Sequence, residues 1–330
     1  MNTFGRTFRI SIFGESHGDG VGTVIDGCPP GLSLSSEDLC ADIARRKPRA
    51  AGGTPRREPD VPEIRSGVLD GTTTGAPLTI FFRNRNARSE DYDALRDVPR
   101  PGHADLVSRL KFGGFNDPRG GGCFSGRLTL PLVAAGSVAK KIIAPARLEA
   151  VLLEAGGSKD VESAVRTAAA DGDSIGGLIE CRGAGFPAGW GEPFFDGVES
   201  VVAHAVLAVP GVIGIEFGEG FACVRMRGSA MNDVPIDTAG RTRTNHCGGV
   251  NGGLSNGNEI VFRVAVKPPS SIRREQDSID LQTGLPVRLS VPGRHDACIA
   301  LRMPVIIEAA AAAALADLRL RHRPALSKEG

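Results

Sequence analysis

The chain has 330 residues, 41% of them hydrophobic, which is enough to bury a sizeable core without disulfides. Lys+Arg 39 against Asp+Glu 38 leaves a formal charge of +1, so a whole-molecule attraction to nucleic acid or membrane is not the default. No run of about 18 apolar residues suggests a membrane span. Glycine is in excess: 44 of 330 residues is about 13%, against roughly 7% in average proteins. The 14 Phe, one Trp and one Tyr are too few for a base-stacking platform. The seven cysteines (28, 40, 123, 181, 223, 247 and 298) form no CxxC pair. They read as reduced thiols of a cytosol-like compartment and argue against zinc. The opening MNTFGRTFRISIFGESHG lacks the apolar core of a signal peptide, so a cytoplasmic location is expected.

In chain order, 7–14 and 20–26 read as strands by weak alternation. GCPPG reads as a turn. Ser35 or Ser36 caps a helix through about Arg46, with Leu39, Ile43 and Ala44 at helical spacing and Glu37 and Asp38 at its positive end. The order glycine, strand, Gly/Pro turn, helix in 20–46 recurs faintly at 174–207, which would make two related halves around one core. Helices are expected at 127–144, apolar almost all round, and at 308–320, with six consecutive alanines. Such helices are buried on more than one face and suit a layer between sheets. Further strands are expected at 147–153, 175–181, 211–217, 221–227 and 259–266. Polar Gly/Pro-rich loops dominate 47–62, 83–123 and 267–294, and long loops in a compact domain are usually functional. These three read as parts of one site.

Residues 45–57 hold Arg45, Arg46, Lys47, Arg49, Arg56 and Arg57 with no acid, and 83–111 add seven more cations. Guanidinium groups bind carboxylate and phosphate bidentately and stay charged. A local anion cradle competes evenly with a solvated basic face or an RNA patch. Three of six histidines lie in polar, glycine-rich settings, in GESHG (His17), RPGHAD (His103) and GRHD (His295), where imidazole can move protons near neutrality. His204 reads as structural and His322 as inert. Gly120-Gly121-Gly122 precede a helix beginning near Ser125, and Gly248-Gly249 and Gly252-Gly253 lead to Ser255-Asn256-Gly257. Such segments offer backbone N–H groups to an anion. None matches GxxxxGK[ST] or a strand-borne GxGxxG, which disfavours ATP and a Rossmann-type dinucleotide.

Together these pieces resemble the chorismate synthase family. The matching segments are FGESHG, DGCPPG, RRKP with RREPD, SGVLDGTTTGAPL, RPGHAD, RGGG with VAAGSVAKK, DSIGG, TNHCGGVNGGLSNG, KPPSSI and GRHDACIALR, in family order across nearly the whole chain. The resemblance implies an α+β fold: a single-domain β-α-β sandwich over 1–330, with helices packed between antiparallel sheets. It implies a lyase of the shikimate pathway to aromatic amino acids, which eliminates phosphate 1,4-anti from 5-enolpyruvylshikimate 3-phosphate to give chorismate. The reaction requires reduced FMN without net redox change. A homotetramer is implied, with no nucleic-acid or membrane partner and no metal. Carried over residue by residue, His17 would meet the departing phosphate as proton donor. His103 would lie against the flavin, and Asp296 would deprotonate it. Arg46, Arg56 or Arg57, Arg100, Arg127 and Arg294 would clamp the substrate. Ser125, Lys267 and Ser271 would contact FMN. Which of Arg45, Arg46, Arg49, Arg56 and Arg57 meet substrate stays open. Whether the chain reduces its own flavin with NADPH also stays open, and an external reductant is expected.

The sequence departs from the family pattern R-x-S-A-R-E-T after RGGG, with Cys123 in place of the Arg and Leu128 in place of the Glu. Asn116 and Pro118 stand where Arg and Tyr are common, and 142–172 is shorter than in many members. These departures motivate an alternative, a diverged member that binds FMN or a phosphorylated ligand with little turnover. An RNA-binding module is a third reading, disfavoured by the scarce aromatics and neutral charge.

Overall fold

The computed structural model describes residues 2–47, 58–85, 96–291 and 295–323. The first sheet has the order β1-β2-β3-β7-β4 and is antiparallel throughout. Its strands are β1 (Thr3–Phe4), β2 (Arg9–Gly14), β3 (Gly20–Asp26), β4 (Glu63–Ser66) and β7 (Leu78–Arg83). Between β4 and β7, β5 (Val68–Leu69) and β6 (Thr72–Thr73) close a tight hairpin. Its two turn residues, Asp70 (φ 48) and Gly71 (φ 73), are left-handed, as a type I′ turn demands. The second sheet, β10-β13-β9-β8, joins β8 (Arg147–Ala155), β9 (Gly177–Ala184), β10 (Val212–Phe217) and β13 (Ile260–Val266), also antiparallel. Two small hairpins complete the strands: β11 (Val250–Asn251) with β12 (Leu254–Ser255), and β14 (Gln276–Ile279) with β15 (Pro286–Leu289).

The helices are α1 (Ser36–Arg46), α2 (Asp105–Lys111), α3 (Thr129–Ile143), α4 (Val161–Ala170), α5 (Val198–Leu207), α6 (Gly228–Met231) and α7 (Pro304–Arg321). A layer of α1, α3, α5 and α7 separates the sheets: α3 packs on β2, β3 and β7, and α7 on β8 and β9. The alternation explains the layering. Ile10, Ile25, Leu78, Ile80 and Phe82 of the first sheet and Ile179, Phe262 and Val264 of the second are buried towards these helices. At the centre α3 crosses α7 so closely that a Cβ on Gly136 would stand 2.3 Å from the Cβ of Ala309. The six consecutive alanines of α7 are wholly buried, because only small side chains permit this approach.

Two acids inside α7 have defined partners. Glu308 accepts from Arg45 (2.6 and 2.7 Å), Lys140 (2.6 Å) and the Ala150 N–H (2.9 Å), tying α1, α3 and β8 together. One oxygen of Asp317 accepts the N–H groups of Arg6, Thr7 and Phe8 at 3.0, 2.6 and 2.9 Å. Among the described residues no helix is long and apolar enough to cross a membrane. All seven cysteines are free thiols.

The helices-between-sheets architecture agrees with the expectation, and the two halves of the faint repeat both fold as strand, turn and helix (β3 to α1, β9 to α5). The strand expected at 221–227 is instead a 3-10 turn, Gly220–Arg225. Glu216 accepts the Phe221 N–H at 3.0 Å, and left-handed Gly218 and Gly220 end β10. The apolar residues that suggested a strand, Phe221 and Val224, are exposed at 77% and 76%. The stretch 267–294 is not bare loop, since it carries the β14–β15 hairpin; both strands are partly exposed on each face, so no apolar alternation marks them.

Candidate active site

Loops that leave the first sheet and α7 meet at the N-terminal end of α3. The Gly-rich turn Arg119–Phe124 carries left-handed Gly120 (φ 58), Gly121 (φ 81) and Gly122 (φ 51). A Cβ on Gly120 would lie 2.3 Å from Cε1 of His17, and one on Gly121 would lie 3.1 Å from Cε1 of His103. Both imidazoles therefore rest on successive residues of one backbone, and only glycine lets it pass. The Ser16 N–H donates to the Gly122 carbonyl at 3.2 Å, fastening the His17 loop to the same turn. His17 is buried, at 8% exposure.

His103 is held from behind. Its Nδ1 lies 2.6 Å from Asp105 Oδ1, so Nδ1–H donates there and Nε2 is left for a ligand. Arg100 donates Nε and Nη2 to the same carboxylate at 2.7 and 2.8 Å, and Nη1 to Ser271 Oγ at 3.1 Å. Burial opposes ionisation of Asp105, but the hydrogen bonds from Arg100 and His103 outweigh it and hold the carboxyl far below its ordinary range. Lys267 and Ser270 both reach the Gly102 carbonyl, at 2.7 and 2.8 Å, which docks the KPPSS segment on the RPGH turn. Beside this turn opens a cleft of about 360 Å³ bounded by Arg96, His103, Arg109, Asn116, Arg119 and Phe124, within the range of small-molecule pockets.

The second half of the site surrounds Asp60, a buried residue with left-handed φ 51. Arg127 Nη1 donates to Asp60, and its Nε donates to Asn84 Oδ1 at 3.1 Å. Its Nη2 is buried and has no hydrogen-bond partner among the described residues. Arg46 donates Nε to Thr129 Oγ1 (2.9 Å) and Nη2 to the Gly126 carbonyl (3.0 Å), with Nη1 4.0 Å from Asp60. Burial depresses the Arg46 pKa; the nearby charges of Arg302 and Arg127 add to this, while Asp60 and Asp296 oppose it. A guanidinium keeps its proton under such pressure, so the crowding amounts to a local excess of buried positive charge. Asp296 is paired with Arg302 at 2.6 Å.

His17, His103, Arg100, Lys267 and Ser271 thus gather around the glycine turn and the RPGH turn, and Arg46, Arg127 and Asp296 around Asp60 and Arg302. Ser125 bridges the two groups: its Oγ accepts the Arg127 N–H at 3.2 Å and caps the turn leading into α3. Arg56, Arg57 and Arg294 lie outside the described residues. Arg45 faces Glu308, on the far side of α1 from Arg46. Of the departures, Leu128 is part of the apolar core and Cys123 is exposed. Asp60, Asn84 and Arg302 carry no sequence signal that marks them as site residues. Asp60 and Arg302 lie inside quoted segments, RREPD and GRHDACIALR, yet nothing local separates them from surface charges. Asn84 follows β7 with no motif to mark it.

A family model described as chorismate synthase matches residues 8–320. The chain is 57% identical over 321 residues to a chorismate synthase of Chitinophaga pinensis, covering 97% of both chains. It is 43% identical to one of Dehalococcoides mccartyi, again at 97% of each, and 42% identical to one of Aeropyrum pernix, at 97% of this chain and 93% of that one. A crystal structure of chorismate synthase superposes with a TM-score of 0.73 at 24% identity, over 96% of this chain and 93% of the other; this likeness speaks for the fold. The chain belongs to the chorismate synthase family.

Proposed function

We propose that the chain converts 5-enolpyruvylshikimate 3-phosphate into chorismate and inorganic phosphate in a chamber formed by the residues between the glycine turn and Asp60. The observation that carries this reading is the buried Nη2 of Arg127, without a hydrogen-bond partner among the described residues, beside Arg46 and Arg302. A cation cluster with a donor left over requires an anion, and the substrate brings a phosphate and two carboxylates. In the reaction one ring C–H bond and the allylic C–O bond to phosphate break, and a second ring double bond forms, with no net oxidation.

Each side chain has a task set by its contacts. Arg127 and Arg46 spend most of their donors on protein, and Arg127 keeps Nη2 without a hydrogen-bond partner among the described residues, where fixed charge stabilises a departing phosphate. His17, seated on Gly120, gives that phosphate a proton. Arg100 locks Asp105, which locks the tautomer of His103, so that its Nε2 meets the chamber from a fixed direction. Asp296, oriented by Arg302, would be the carboxylate that takes a proton from the bound flavin. The cleft beside His103, with Arg96, Arg109 and Arg119 on its walls, suits an anionic planar cofactor, and Ser125, Lys267 and Ser271 stand on the turns that border it. Reduced FMN, when bound, supplies electron density to the substrate. No adenine-nucleotide motif accompanies the site, so an external reductant is the reading for its supply.

We read residues 1–330 as one domain, because one apolar core runs through both sheets, acting in the cytoplasm. Val151, Leu153 and Ile213 stand exposed on the outer face of the second sheet, which favours self-association as a homotetramer. The activity is tested anaerobically with dithionite-reduced FMN and substrate. Chorismate and phosphate should appear in equal amounts. Phosphate without chorismate, or neither product, would favour the slow, diverged alternative and reject this reading.

A further inference from the structure

Asn84 carries contacts that the roles above do not use. Its backbone is fixed, since Arg83 pairs with Gly20 across the sheet and the Asn84 N–H donates to the Asp19 carbonyl at 3.0 Å. From that base its Nδ2 reaches three carbonyls of the His17 loop: Glu15 at 2.9 Å, Ser16 at 3.1 Å and Gly18 at 2.8 Å. Its Oδ1 accepts Arg127 Nε at 3.1 Å. The three acceptors flank His17 in sequence, and the one donor is the guanidinium with a nitrogen to spare.

We propose that Asn84 is a positioning residue that sets the spacing between the His17 imidazole and the Arg127 guanidinium, so that both address the same leaving group. The inference rests on the site reading above. Only a primary amide does both jobs at this length, offering two N–H donors to one loop and a carbonyl to an arginine. A carboxylate would keep Arg127 and repel the loop carbonyls. A methyl would release both. A loop freed by about 1 Å costs roughly a hundredfold in rate when it carries a reacting group.

The two halves of the contact separate in kinetics. Asn84→Asp retains the acceptor for Arg127, so KM for substrate should stay within about threefold while kcat falls about thirtyfold or more. Asn84→Ala should lower kcat and also raise KM. Because Asn84 acts through His17, the double variant His17→Ala/Asn84→Asp should be no slower than His17→Ala alone. Asn84→Ser, which keeps one donor, carries the same non-additivity test should the aspartate variant fail to fold. If His17→Ala itself turns over at the wild-type rate, the site reading falls and the inference with it. If His17→Ala is slow, either of two results overturns the inference alone: wild-type kcat in Asn84→Asp, or a double variant slower by the full Asn84→Asp factor.

Discussion

Gly120→Ala tests the seat of His17. The new methyl would stand 2.3 Å from Cε1 and 2.4 Å from Nδ1 of the ring, where ordinary contact begins at 3.4 Å. The ring must therefore yield by 3.4 − 2.3 = 1.1 Å, and at 8% exposure it has little room to swing. A displacement of that size at a proton donor costs about 10²-fold in kcat. The left-handed φ of 58 adds about 1–2 kcal/mol of backbone cost, and crowding adds about 1–3 kcal/mol. Two variants calibrate the result. Gly71→Ala has φ 73 with nothing within 4 Å, so it should lose about 1–2 kcal/mol of stability and keep full turnover. Gly121→Ala meets His103 at 3.1 Å, a deficit of only 3.4 − 3.1 = 0.3 Å, and should lose turnover by roughly threefold to tenfold. Steady-state kinetics with reduced flavin, beside denaturant unfolding, read both effects. Gly120→Ala turning over like Gly71→Ala would refute the seating of His17 against the glycine turn.

Glu308→Gln removes the charge that Arg45 and Lys140 share inside the helix layer, while Asp42 remains as a partner for both. It should cost about 3 kcal/mol in urea unfolding, the low end for a broken buried pair, and leave KM unchanged; a loss under 1 kcal/mol would show the network to be dispensable. Asp105 titrates lower in the folded chain than in the unfolded one, because hydrogen bonds from Arg100 and His103 outweigh its burial. Its contribution to stability is therefore complete above about pH 4 and drains away as the pH falls towards its folded value. The stability gap between wild type and Asp105→Asn should be constant from pH 5 to 8 and shrink below pH 4, whereas a gap that widened on acidification would contradict the sign. For Cys123 and Leu128, a cycle of Cys123→Arg, Leu128→Glu and the double variant should show a favourable coupling of at least about 0.5 kcal/mol, since Leu128 lies in the core and a lone carboxylate there needs a partner. Additive effects would show that the two departures act independently.

The layered fold was legible because its signal is one of composition. A helix apolar on all sides, and another with six alanines, can exist only between other layers, and both lie there. The 3-10 turn at 220–225 was not legible, because Phe221 and Val224 are exposed apolar residues and mimic a strand when burial is unknown. In the site, motif-bearing histidines and arginines were visible one by one. Which arginine faces which way was not, since Arg45 and Arg46 are neighbours in sequence yet serve Glu308 and Asp60 on different sides of α1. Asn84 was invisible for the same reason: its meaning lies in four contacts with distant residues, and a lone asparagine after a strand predicts none of them.

The proposed function rests on the buried cation cluster around Asp60 holding the anionic substrate. The direct measurement is titration calorimetry of 5-enolpyruvylshikimate 3-phosphate without reduced flavin, so that binding is read apart from turnover, on wild type, Arg127→Met and Arg182→Met. Arg182 sits on the second sheet, paired with Glu180 and Glu259. Loss of a charge-assisted contact in a desolvated site costs about 2–5 kcal/mol, so Arg127→Met should bind at least about thirtyfold more weakly while Arg182→Met binds as wild type does. Equal affinity in Arg127→Met and wild type would contradict the claim that this guanidinium holds the substrate.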